Sequence, residues 1–207
     1  TAGGAPQLDS LQKILDRLGV LSPAEVREVT AYLAQGWAYS LYLKRIPIVD
    51  VLSISAGFLL RVLGGGAAVD VFISPWLLVC TLALSLFLGF GKRRSELASL
   101  DGNGSEQRPV LDGYSLPFLD QCISLVTTTT LVSYILYVAS PETTHVFGTR
   151  AVMLTIAFVL YGIFRYLSLV YTHKRGADPA RLLLSDVPMM AACAGWGLTW
   201  IGIIYLF

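Results

Sequence analysis

Charge is what this 207-residue chain has least of. Asp, Glu, Lys and Arg make up 14% of it, against roughly 25% in soluble domains. Hydrophobic residues reach 55% and the mean hydropathy is +0.64, which excludes a disordered chain and argues against a water-soluble globule. The 15 basic residues nearly balance the 14 acidic ones, leaving a net charge of +1, so no overall field draws the chain to nucleic acid. Cysteine occurs three times, and Cys80, Cys122 and Cys193 lie in apolar runs without CxxC or Cys/His spacing. They read as small buried hydrophobes and point to neither zinc, disulfides nor redox work. No signal-peptide pattern opens the sequence.

Long apolar runs are what the chain has instead. A helix crossing the hydrocarbon core needs about 20 mostly apolar residues, and the stretches 71–90, 120–139, 150–171 and 187–207 meet that length. Two weaker stretches precede them: 29–43, short and rich in aromatics, and 47–66, apolar except for Asp50 and Arg61. The expected fold is therefore all-α, a polytopic transmembrane helix bundle of six spans over residues 29–207. Residues 1–28 read as a non-membrane segment with a helix-start signature at Ser22-Pro23 and Glu25.

The connecting segments test this count independently of hydropathy. Lys44 and Arg45 follow the first span, Lys92, Arg93, Arg94 and Arg108 the third, and Lys174, Arg175 and Arg181 the fifth. The intervening connections hold almost no basic residues. Cytoplasmic loops carry the Lys/Arg excess, so 44–46, 91–119 and 172–186 are expected on the cytoplasmic side of the membrane and the C-terminus outside.

Ionisable groups inside a bilayer cost roughly 2.5–3.5 kcal/mol on insertion scales, and each is a candidate for function. On the second span Asp50, Ser53, Gly57, Arg61 and Gly64 fall on one helical face, as do Ser85, Gly89, Lys92 and Glu96 if the third helix continues past the membrane surface. Lys92 and Glu96 then form an i,i+4 pair. The fifth span adds Gly162, Arg165 and Tyr166. The small residues, taken singly, read best as helix-packing positions. Thr127, Thr128, Thr129 and Thr130, with Trp37, Trp76, Trp196 and Trp200, read as packing residues and interfacial belts. Taken together, Asp50, Lys92, Arg93, Glu96 and Arg165 lie toward the cytoplasmic ends of different spans. They are expected to converge on a polar pocket, basic enough for phosphate and holding carboxylates for a cation. Arg61 lies about 16 Å deeper than Asp50 and reads as either structural or lipid-contacting.

At LYLKRIPIVDVLSISAGFLLRVLGGG (41–66), FGKRRSEL (90–97), RPVLDGYSLPFLD (108–120) and FRYLSLVY with DPARLLLSD (164–186), the chain resembles the UbiA superfamily of intramembrane transferases. Within it, GKRxxE after a span and KxxxxxD followed by GFxxRxxxGG resemble the decaprenyl-phosphate phosphoribosyltransferase branch. The resemblance covers roughly residues 30–207. It implies a nine-helix bundle in a bacterial inner membrane, of which the six spans here match the last six, with a cytoplasm-facing site open to lipid. The family's first Asp-rich motif, NDxxDxxxD, holds Mg²⁺ against pyrophosphate and has no counterpart in this sequence. The chain is therefore expected to be a fragment, or a subunit completed by a partner chain or a second copy.

The resemblance also implies the substrates, phosphoribosyl pyrophosphate and a polyprenyl (decaprenyl) phosphate, for a product that supplies cell-wall arabinose. It implies Mg²⁺ as cofactor. It assigns catalytic roles to Asp50, Lys92 and Glu96, with Asp50 and Glu96 on metal or ribose hydroxyls. Substrate binding falls to Lys44, Arg93, Arg165 and Tyr166, while Tyr114 and Asp186 close the pocket. Two rivals remain open. Prenyl transfer to an aromatic acceptor would be favoured by a DxxxD in the 91–119 loop, a spacing that Asp101 and Asp112 lack. A transporter or non-catalytic membrane subunit would also carry intramembrane charges, but no internal repeat relates 29–90 to 120–207.

Overall fold

The computed structural model describes residues 23–69, 71, 73–99, 109–172 and 185–206, and all of the helices below lie within them. The expected segment 1–28 thus falls mostly outside the described residues, as do Asp101, Arg108, Lys174, Arg175 and Arg181. Among the described residues there are seven α-helices: α1 (Pro23–Leu41), α2 (Val49–Ala68), α3 (Pro75–Ser99), α4 (Leu116–Ala139), α5 (Pro141–Phe147), α6 (Thr155–Thr172) and α7 (Val187–Leu206). No strand occurs among the described residues. Among the described residues five segments are long and apolar enough to cross a membrane: α2, α3, α4, α7 and Arg150–Thr172, in which a 3-10 turn runs into α6. This is the make-up of a multi-pass membrane protein.

The expected sixth span, 29–43, is corrected here. Its residues lie in α1, which starts at Pro23 and takes Glu25, Arg27 and Glu28 into its first turns. The apolar remainder is about 13 residues, close to 20 Å of helix, and too short for the hydrocarbon core.

The chain divides into two compact units, residues 1–73 and 74–207. In the first, α1 and α2 form an antiparallel hairpin closed by the 3-10 turn Leu43–Arg45. Gln35 Nε2 on α1 donates to the Ser53 carbonyl at 2.5 Å and to Ser53 Oγ at 3.0 Å. A Cβ on Gly57 would stand 3.1 Å from Gln35 Oε1. The small face of α2 is thus a seat for one long polar side chain, which is its packing role. Arg61 resolves the same way: it donates to Tyr32 Oη at 2.5 Å, with its guanidinium 5.0 Å from the Tyr32 ring centroid.

In the second unit α3 packs chiefly on α4, and α6 on α7. Ser115 caps α4 by accepting from the Phe118 N–H, and Ser140 caps α5 through the Thr143 N–H at 3.2 Å. Thr127, Thr128, Thr129 and Thr130 each donate to the carbonyl four residues back, so no hydroxyl of the threonine run needs a partner beyond its own helix. One end of the unit is an apolar cluster of Cys80, Tyr134, Val138, Val152 and Ile203. There Tyr134 Oη accepts from Trp196 Nε1 and donates to Thr155 Oγ1, both at 2.8 Å, tying α4 to α6 and α7. The opposite end gathers the end of α3, the start of α4, the end of α6 and the start of α7. Helix α3, with 25 residues, extends about 37 Å. It outruns a hydrocarbon core of about 30 Å, and its last two turns carry the basic run.

Candidate functional site

The charged residues of that end are sorted by geometry. Arg93 is buried and donates to Glu96 Oε2 at 2.6 Å, one turn along α3. The expected Lys92–Glu96 pair is therefore corrected to Arg93–Glu96: Arg93 is buried, on the side of α3 opposite Gly91 and Ser95, whereas Lys92 is only half-buried. The expected stripe of Ser85, Gly89, Lys92 and Glu96 is only half right. Of its four residues Ser85 alone is buried, and the continuous packed face is a different one, running through Ala83, Phe87, Gly91, Ser95 and Ala98. Lys92 is the one cation of the run with no ion pair among the described residues.

Arg165 near the end of α6 meets Asp186 in a two-pronged pair at 3.0 and 2.7 Å. Asp186 Oδ1 also accepts the Met189 N–H at 3.0 Å and so caps α7. Both oxygens of Asp186 are thereby used in joining α6 to α7. Tyr166 packs its ring 5.0 Å from that of Phe87, and its hydroxyl lies over the backbone of Gly91. That hydroxyl and the Ser95 hydroxyl are buried without a hydrogen-bond partner. Tyr114, expected to close a pocket, is buried and stacks on Phe118 with ring centroids 6.2 Å apart.

Lys44 and Asp50 belong to the first unit. Lys44 is exposed in the 3-10 turn, and Asp50 is fully buried in the first turn of α2, where the helix N-terminus favours negative charge. Ile48, which precedes that helix, takes the left-handed φ of +69°. The expected grouping of Asp50 with Lys92, Arg93, Glu96 and Arg165 draws on both units, each of which is described by itself. No group of three His, Cys, Asp or Glu side chains comes together among the described residues. A Mg²⁺ ion held by protein alone would need donors beyond these, since Glu96 is already bonded to Arg93.

One constellation escaped the sequence reading. Arg94 on α3, Asp120 on α4 and Tyr171 on α6 form a bonded cluster. The available signal was Asp120 itself, an ionisable residue at the mouth of an apolar span.

No family model matches the chain. It is 28% identical over 183 residues to the decaprenyl-phosphate phosphoribosyltransferase of Corynebacterium glutamicum, covering 86% of this chain and 53% of that protein. It is 34% identical over 114 residues to the Mycolicibacterium smegmatis protein of the same name, covering 55% and 36%. The Mycobacterium tuberculosis protein so named is 28% identical over 146 residues, covering 70% and 48%. The chain is thus similar to proteins of that name over 55–86% of its length. The chain spans about half the length of the Corynebacterium and Mycobacterium relatives it matches. Two resemblances read from its sequence, GKRxxE and the KxxxxxD stretch, fall on the end of α3 and on the turn into α2 respectively.

Proposed function

We propose that this UbiA-like chain takes part in transferring a phosphoribosyl group from phosphoribosyl pyrophosphate to a polyprenyl phosphate, decaprenyl phosphate by the names of its relatives. The observation that carries the reading, beside that similarity, is the state of Lys92. It sits in GKRxxE with no protein counter-ion among the described residues, at the end of a helix that outruns the bilayer core.

An acceptor phosphate oxygen attacks the anomeric carbon of ribose, and the bond from that carbon to pyrophosphate breaks, its electron pair leaving with pyrophosphate. The acceptor is already anionic at neutral pH and needs no general base. Charge grows on the leaving group, and a fixed ammonium aimed at it lowers the barrier. Lys92 fills that role, while the Tyr166 hydroxyl is buried beside Gly91 and enters the site through the resemblance alone. Arg93 is held by Glu96 and Arg165 by Asp186, so these two cations shape the site's field and hold its helices. Lys44 and Asp50 enter through the resemblance alone. The Lys/Arg content of the connections supports a reading in which this end of the second unit faces the cytoplasm across a bacterial inner membrane, with the C-terminus outside. The product is a precursor for cell-envelope arabinose.

Membranes carrying the chain, completed with the helices that the resemblance implies it lacks and incubated with decaprenyl phosphate and labelled phosphoribosyl pyrophosphate, should yield labelled lipid. Label entering lipid from a prenyl diphosphate alone would sink the proposal in favour of aromatic prenylation. Lys92→Ala should lower transfer by about 10²-fold or more, the usual cost of losing one charge-stabilising donor, with membrane insertion unchanged. Full activity in that variant would remove Lys92 from the mechanism.

A further inference from the structure

In the sequence Lys92, Arg93 and Arg94 look alike, three cations for phosphate. The third is turned into the protein. Only 13% of the Arg94 side chain is exposed, and its Nε donates to Asp120 Oδ1 at 2.6 Å. Its guanidinium carbon stands 3.9 Å from the centre of the Tyr171 ring, within cation–π range. Nη1 reaches the Val170 carbonyl at 3.5 Å. Tyr171 Oη donates to the same oxygen of Asp120 at 2.9 Å, which closes a ring of three side chains from three helices. The arrangement uses the planarity of the guanidinium, which stacks by its face while bonding by its edge; an ammonium cannot do both.

We propose that Arg94, Asp120 and Tyr171 form a positioning clamp that holds the last two turns of α3 against α4 and α6. The clamp thereby fixes where Lys92 presents its charge, and Arg94 itself touches no substrate. Its kinetic consequence rests on the transferase reading above; its geometry does not.

The test uses Arg94→Gln, Asp120→Asn, the two together, and Arg94→Lys, each made in the chain completed as above and purified in detergent. Transfer from labelled phosphoribosyl pyrophosphate to decaprenyl phosphate is measured per mole of monodisperse protein. Each single variant should lower kcat by about tenfold while the donor KM moves less than about twofold, since misplacement of a catalytic group costs turnover before binding. The double variant should be no worse than the worse single one, because both remove one interaction. Arg94→Lys should fail to restore turnover. A phosphate-binding Arg94 predicts the opposite pattern, in which Arg94→Gln raises the donor KM, Arg94→Lys recovers it and Asp120→Asn lowers it. That result would overturn the clamp, as would additive losses in the double variant. If the unaltered protein transfers nothing, the transferase reading fails by itself. The clamp is then decided by thermal unfolding of the same variants, where a double variant no less stable than the worse single one supports it and additive losses refute it.

Discussion

A methyl group on Gly91 would stand 2.7 Å from Tyr166 Oη and 3.0 Å from Cε1 of the same ring. The ring cannot withdraw cheaply, because Phe87 lies against it at 5.0 Å and Tyr166 is only 3% exposed. Gly91→Ala should therefore cost about 1–3 kcal/mol, the usual range for overpacking a filled interior, read as a lowered unfolding midpoint in detergent. Adding Tyr166→Phe should recover part of that loss, since it removes the nearest atom. Tyr166→Phe alone should leave stability unchanged or raised, because it deletes a buried hydroxyl with no partner among the described residues, and it should leave transfer unchanged. A fall in both would mean that the hydroxyl is structural. The tight approach was not visible in GKRRSE: the motif names Lys92, Arg93 and Glu96 as charged, but which two of them pair depends on how α3 is rotated against α6.

The helices differ in how far their sequences dictate them. The caps of α4 and α5 follow from Ser-Leu-Pro and Ser-Pro, local patterns whose side-chain oxygens reach N–H groups three residues on. The start of α2 was not foreseeable, because Ile48 is a branched residue at φ +69°, a region that costs such a residue of order 1–3 kcal/mol. It is exposed, so little packing is lost on replacing it. Ile48→Gly should stabilise the α1–α2 hairpin by about 1 kcal/mol, seen as a higher unfolding midpoint. A destabilised variant would mean that the Ile48 side chain, not its backbone, anchors the turn. The length of α1 was misjudged for a different reason: the aromatics of 29–43 suggested a span, while good helix formers upstream, Glu25, Arg27 and Glu28, extend the helix backwards into charge.

Sidedness is a property of the chain as a whole, and it can be tested apart from any activity. In a chain whose three cysteines are replaced, single cysteines at Arg45 or Ser99 should react with a membrane-impermeant thiol reagent only after cells are opened. A cysteine at Glu142, exposed on α5 between two spans, should react in intact cells. Reversed labelling would invert the proposed topology. The spans and the alternation of basic loops were readable because hydrophobic transfer and charge placement sum over neighbouring residues, with no knowledge of distant ones needed. The pairing of charges was not readable. Arg94 finds Asp120 26 positions away, and Arg165 finds Asp186 21 positions away. An ion pair is decided within a few tenths of an ångström by the rotation and offset of packed helices. The composition thus placed the cations at one end of the bundle, and the packing left Lys92 alone of its run without a counter-ion among the described residues.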